Sequence, residues 1–354
     1  AKANAAKNGY QGAQYPWESA DDGTEQCPDW TIEPDGTCYR CYVAVYEHHV
    51  TAAVAYGIYN YVRITHDTEF LLHKGAEILI ETARFWKSRL QYIKENDRYE
   101  IHRVTGPDEW HEPVDNNVYT NYLARWNLRY VTALTEMLSR EYPQEYTALV
   151  EKLGLTEEEI ADWDAVAAKV YLPRKEGTQL LEQFEGYFDL KEAVIEKYDS
   201  NDWPIRPEIL NTTKKCETQI IKQADVVMLL HLMGQEFDEE TTKLNYSYYE
   251  KRTLHGSSLS PSIYSIMGLK VGDDSKAYRY LRRAALIDLV NLQGNTREGI
   301  HAANAGGVWQ VVVFGFAGVS LDEEGMLCIC PHMPPEWNGL TFRIHHLDSW
   351  LEIT

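Results

Sequence analysis

The chain has 354 residues, 44% hydrophobic and 25% charged, enough for a large buried core in one big domain or two. Its 34 Lys and Arg against 54 Asp and Glu give a formal net charge of −20, which opposes nucleic-acid backbones and anionic membranes. A neutral small molecule is indifferent to that field, whereas an anionic cosubstrate needs a locally cationic site.

No apolar run reaches the ~18 residues of a membrane span, and the opening AKANAAKNGYQG lacks the apolar stretch of a signal peptide. The chain therefore reads as cytoplasmic, with no membrane partner. Six cysteines include Cys38, Cys41, Cys328 and Cys330, in spacings that suit neither a disulfide framework nor a zinc site; reduced, partly buried thiols are expected. No HExxH or comparable pair occurs among the twelve histidines, so no metal site is expected.

In chain order, the lysine- and alanine-rich opening should be helical. Apolar periodicity then predicts helices over 48–64, 68–93, 117–139, 157–171, 218–233, 239–251, 260–271, 275–290 and 305–318. Long helices joined by polar loops are the arrangement of stacked αα-hairpins. Strand-like alternation is confined to the end, in MLCICP, LTFRIHHL and SWLEIT.

The most informative stretch is VTGPDEWHEPVDNNVYTN, residues 104–121. Gly106-Pro107 fixes a turn, so Asp108 and Glu109 are presented from a loop, and Asp115, Asn116 and Asn117 stand where a helix should start. Read alone, this is a polar loop with an Asx cap. The crowding of carboxylates, amides and aromatics around one candidate proton donor is also what a sugar pocket needs, since rings stack on sugar CH faces while charged acceptors take hydroxyls. Trp17, Glu18, Asp21 and Asp22 in GYQGAQYPWESADDGT (9–24) fit the same demand; a core indole and a solvated turn are their plainer readings.

HGSSLSPS (255–262) offers a different chemistry. Gly256 admits close backbone approach, Ser257 and Ser258 bring hydroxyls and amides, and Ser260-Pro261 reads as an N-cap and first helical turn. Such a helix start favours an anion. Alone, the serines are ordinary capping residues and Lys222 is a solvated lysine on a KQAD helix.

Residues 104–121 resemble the GPDEYHxxVDNNxYTN signature of glycoside hydrolase family 65, the group of maltose, trehalose and kojibiose phosphorylases. The resemblance extends to 9–24, to IKQADVVMLL (221–230), to HGSSLSPS and to NLQGNTREGIHAANAGGVWQVVVFGFAGV (291–319). It implies that Glu109 is the general acid, that Ser257, Ser258, His301 and Lys222 hold inorganic phosphate, and that Trp17, Glu18, Asp21, Asp22, His49, Asp108, Trp110, Lys222 and Gln223 contact the sugar. His48 and His49 match an IHVTA-like pattern, one of them facing the pocket. Trp110 stands where the family usually carries Tyr, which keeps the aromatic wall, loses the phenol hydroxyl and leaves the acceptor open.

The implied fold is an all-α catalytic domain over 1–320, an (α/α)6 barrel lacking its first helices, followed over 321–354 by the start of a small C-terminal β-sheet domain. About nine helices are legible where the family barrel has twelve, and its preceding β-sandwich and WDTE-like loop are not seen, so the chain reads as part of a longer protein. The implied reaction is inverting phosphorolysis of an α-glucoside disaccharide to β-glucose 1-phosphate and a free acceptor. Phosphate is cosubstrate, no other cofactor is needed, and the full-length protein is expected to be a homodimer. An inverting hydrolase on the same fold, with Glu250 as the nearest candidate base, and a sugar-binding relic without turnover are the alternatives.

Overall fold

The structure, a computed structural model, describes all residues except 33–35, 37, 201, 202, 323, 324 and 348. The chain forms two compact units, residues 1–106 with 112–173, and residues 107–111 with 174–354.

The first unit is helical with two small hairpins. Helix α1 (Lys2–Lys7) precedes the β1–β2 hairpin (Trp30–Ile32 with Cys38–Arg40), a short α2 (Val43–Tyr46) and α3 (His49–Thr65). Helix α4 (Thr68–Phe70), capped by the Asp67 carboxylate, runs through a π-helical turn at Leu71–Gly75 into α5 (Ala76–Arg89). The β3–β4 hairpin (Gln91–Ile93 with Arg98–Glu100) follows, then α6 (Val118–Glu141), α7 (Pro143–Leu153) and α8 (Glu157–Ala167).

Helix α6 is long because Asn117 caps it, its side chain accepting from Thr120 N at 2.9 Å, and because Leu123, Leu128, Val131, Leu134 and Leu138 bury one face. Each such side chain contributes about 1.5–3 kcal/mol. That face packs on α3, α5 and α8. Gly12, at φ +68°, lies flat against α5, where a Cβ would come 2.1 Å from the Glu81 carbonyl oxygen.

In the second unit an irregular stretch with short 3-10 turns leads to α9 (Val226–Leu232), α10 (Glu239–Glu250), α11 (Ser260–Lys270), α12 (Asp274–Leu286) and α13 (Ala302–Gln310), which continues through a second π-helical turn at Val311–Phe316. All positions of α11 from Ser260 to Leu269 are buried, since α9, α10, α12 and α13 surround it. Ile266, Leu269, Ala277, Leu281, Val311 and Phe316 form one core there. Two hairpins end the chain, β5–β6 (Val319–Leu321 with Leu327–Ile329) and β7–β8 (Phe342–His346 with Ser349–Ile353).

Several sequence expectations need correction. The helix expected from 218 begins only at Val226, because Thr218 and Ile221 form isolated bridges to Lys191 and Thr253 instead: Ile221 N donates to Arg252 O at 2.9 Å and Leu254 N to Ile221 O at 3.0 Å. Buried Ile220, Ala224 and Val227 at i, i+4 and i+7 mimic helical spacing. The helix expected to reach 93 stops at Arg89, where Leu90 turns extended and β3 begins. The helices expected to reach 171 and 290 end at Ala167 and Leu286, α7 was not anticipated, and strands are not confined to the end. Cys27 and Cys41 are the half-buried thiols; the other four are exposed.

Candidate active site

In the second unit, the Pro107–His111 loop is held by Asp108, the buried neighbour of Glu109, rather than by Glu109 itself. Asp108 is fully buried, and its carboxylate accepts from His111 Nδ1 at 2.6 Å, Lys222 N at 2.8 Å, Gln183 Nε2 at 3.0 Å and Trp110 N at 3.4 Å. The sequence reading put Asp108 against sugar. Its oxygens are instead engaged by protein donors, and its own amide donates to Asp225 Oδ2 at 3.3 Å.

Glu109, one residue on, points the other way, with its side chain about a quarter exposed at 23%. The Lys222 ammonium donates to its Oε2. Lys222 lies in the non-helical stretch before Val226, not in a helix, so its backbone amide and its side chain reach adjacent residues of one loop, Asp108 and Glu109. Gln223 Nε2 donates to the Pro107 carbonyl. Trp110 packs against Ile195, Leu210, Ile220 and Leu254 with Lys215 Nζ 5.0 Å from its ring centre.

The serine loop touches this group through Gly256. Its amide donates to Lys222 O at 2.8 Å, and a Cβ there would lie 3.4 Å from Lys222 Cγ and 4.0 Å from Trp110 Cζ2. Ser257 and Ser258 follow, half-buried, the Ser257 hydroxyl accepting from Leu259 N at 3.3 Å. Ser260 is not the expected cap. It lies inside α11, and its hydroxyl meets His255 Nδ1 at 2.9 Å. His255 is fully buried, which, with Arg283 and Lys276 nearby, pulls it down to about 3; its Nε2 meets the Tyr280 hydroxyl at 3.1 Å.

Glu250, the base of the hydrolytic alternative, closes that chain. It is buried, accepting from Tyr280 OH at 3.0 Å and pairing with Lys276 Nζ at 2.8 Å. His301 stands just before α13, its Nδ1 2.7 Å and its amide 2.8 Å from the Asp288 carboxylate; the His301 bond is the main cause holding Asp288 below the usual carboxylate range. None of the contacts of His301 among the described residues is with Ser257, Ser258 or Lys222.

The predicted sugar loop lies in the first unit. Glu25, missed by sequence reasoning, organises it by accepting from Trp17 N at 2.6 Å, Glu18 N at 2.9 Å and Cys27 N at 3.0 Å. Trp17 meets His49 edge-on at 5.8 Å, and His49 meets Tyr119 at 5.3 Å. Burial lowers His49 to about 4. Glu18, Asp21 and Asp22 are exposed, and Asp22 accepts from the amide and hydroxyl of Thr24, the plain turn reading. His48 faces away from Trp17. It lines a cleft of about 290 Å³ with Tyr10, Tyr46, Arg89, His102 and Arg103.

Among the described residues no group of three or more His, Cys, Asp or Glu is placed to hold a metal, and no helix is long and apolar enough to cross a membrane. Residues 1–310 match the model of the glycosyl hydrolase family 65 central catalytic domain, and residues 322–354 that of the family 65 C-terminal domain. The chain belongs to glycosyl hydrolase family 65.

Among family 65 relatives, the chain is 54% identical over 353 residues to a kojibiose phosphorylase of Thermoanaerobacter brockii, covering 100% of this chain and 46% of that protein. It is 37% identical to a 1,2-alpha-glucosylglycerol phosphorylase of Bacillus selenitireducens, covering 100% of this chain and 47% of that one. A solved structure described as a kojibiose phosphorylase from the human microbiome superposes with a TM-score of 0.86 at 30% identity, over 99% of this chain and 49% of that chain. The chain thus spans about half the length of the curated relatives it matches.

Proposed function

We propose that this family 65 chain carries the acid and phosphate machinery of an inverting α-glucoside phosphorylase built on an (α/α)6 barrel. The observation that carries the reading is the position of Lys222, which pairs with Glu109 on one side and backs the Gly256 turn of the serine loop on the other.

In this reading a phosphate oxygen attacks the anomeric carbon as the bond to the acceptor oxygen breaks, and Glu109 protonates that leaving oxygen. Inversion requires the acid and the nucleophile on opposite faces of the sugar. Phosphate is already an anion, so no base is needed. Ser257 and Ser258 supply hydroxyls and amides for it; among the described residues no protein acceptor takes those two amides. Lys222 supplies charge, and turning toward phosphate it would leave Glu109 free to carry its proton. His301 joins from the head of α13. Trp110 and Gln223 supply sugar contacts beside Glu109, while Asp108 acts through the loop; the resemblance assigns Trp17, Glu18 and His49 to sugar contact as well.

A hydrolase would need a free carboxylate as base. Glu250 is unsuited to it, being buried and engaged by Lys276 and Tyr280. The relatives' names and the resemblance to maltose and trehalose phosphorylases direct the first substrates: kojibiose, 1,2-alpha-glucosylglycerol, trehalose and maltose. Incubating the full-length protein with each, with and without phosphate, should release glucose 1-phosphate only when phosphate is present. Arsenate should give net hydrolysis, and Ser257→Ala with Ser258→Ala should raise the phosphate KM far more than the sugar KM. Equal cleavage without phosphate would move the assignment to a hydrolase, and no turnover at all to a binding relic.

A further inference from the structure

His111 follows Glu109 by two residues and is buried at 2% exposure. Its two ring nitrogens face two acceptors: Nδ1 lies 2.6 Å from Asp108 Oδ2, and Nε2 lies 2.9 Å from the carbonyl oxygen of Thr218. A carbonyl oxygen can only accept. A carboxylate that already takes hydrogen bonds from Lys222 N and Gln183 Nε2 is likewise an acceptor. Both ring nitrogens must then donate, which only an imidazolium does.

We propose that His111 is a positioning residue that works as a buried imidazolium, tying Asp108 to the Thr218 strand segment and so fixing the peptide that carries Glu109 against the segment that carries Lys222. Every charged group facing the ring is consistent with that charge. Asp108 comes from its own loop and Asp225 from the head of α9, while residues 184–187 turn the rings of Phe184 and Tyr187 toward it. Glu182, just before that stretch, accepts from the amides of Gly186 and Phe188. Burial alone would lower His111, but Asp108, the Thr218 carbonyl and Asp225 together raise it above its ordinary value.

The imidazolium is a device for geometry, since Glu109 itself moves the proton. The inference rests on Glu109 being the acid, and two readouts separate its failure from failure of that reading. In the full-length protein labelled with ¹⁵N-histidine, with the His111→Asn variant identifying the signal, both His111 nitrogens should be protonated at pH 7.5. A neutral ring would overturn the proposal, whatever the enzyme does.

In kinetics, His111→Asn retains one donor toward Asp108 and His111→Ala none. Both should lower kcat for the natural disaccharide, Ala by roughly ten- to a hundredfold with KM little changed, as a misplaced catalytic group does, and Asn by less. Phosphorolysis of α-glucosyl fluoride, whose leaving group needs no protonation, should be nearly spared. Equal losses on both substrates would mean a merely structural role and overturn it. Failure of the wild type to use phosphate would instead strike the reading beneath.

Discussion

Removing Lys276 tests both the packing of the second unit and the hydrolytic alternative. Glu250 has a side chain only 3% exposed, held by the Lys276 ammonium at 2.8 Å and the Tyr280 phenol at 3.0 Å. Lys276→Met would leave a buried carboxylate with the phenol alone. Breaking a buried ion pair from one side costs about 3–5 kcal/mol; Lys276 is 31% exposed and the phenol remains, so about 2–3 kcal/mol is expected after solvent screening. In urea this is a midpoint lower by about 1 M.

Glu250→Gln removes the charge that Lys276 answers. Combined with Lys276→Met it should be less damaging than the sum of the two, by about 1–2 kcal/mol in a double-mutant cycle. The same Glu250→Gln protein should keep phosphorolysis within about threefold, since it removes no transition-state contact. An unchanged midpoint for Lys276→Met would refute the packing argument. A Glu250→Gln protein that folds but loses turnover a hundredfold would make Glu250 a base after all.

Glu109→Gln in the full-length protein should lower kcat on a disaccharide by at least about a hundredfold and leave α-glucosyl fluoride much less affected; equal losses would move suspicion to Asp108. His48, His49, His231 and His255 sit near 3 to 4 in the folded chain because burial disfavours their charge. The unfolded chain binds protons at these positions from about pH 6.5 downward, so stability should fall as pH drops from there toward 4, by up to about 1.4 kcal/mol per unit for each. Urea midpoints taken across that range check it. Gly12→Ala, which combines a φ of +68° with a Cβ 2.1 Å from the Glu81 carbonyl, should cost several kcal/mol, about 4 or more, and thermal melts should show the loss.

The sequence displayed some of this site and hid the rest for identifiable reasons. Asn117 is a cap three residues before Thr120, and its role is a local matter that spacing reveals. Pro143 and Gly154 bracket α7 as a start and a stop, a local signal in the sequence. The Lys222 segment misled because Ile220, Ile221, Ala224, Val226 and Val227 satisfy a helical period, whereas pairing with 252–254 decides the backbone. The resemblance places Asp108 against sugar, but Gln183 and the Lys222 amide, two of the donors that engage it, lie 75 and 114 residues away. Composition carries no trace of such distances. Glu25 had the same disadvantage at short range, since nothing in a lone glutamate announces three amides converging on it.

The π-helical turns at Leu71–Gly75 and Val311–Phe316 have a consequence for how this chain tolerates change in length. A turn closed from residue i to i+5 houses one residue more than an α-turn over nearly the same rise. The first interrupts an otherwise continuous helix between α4 and α5, and the second forms the last turn of the α13 helix. Losing a single residue there would let the helix revert to ordinary winding, with the flanking faces still pointing as they do now. An equal deletion in the middle of α6 would rotate everything beyond it by about a hundred degrees. In aligning longer kin, one-residue gaps therefore belong in these two turns rather than in the loops beside them.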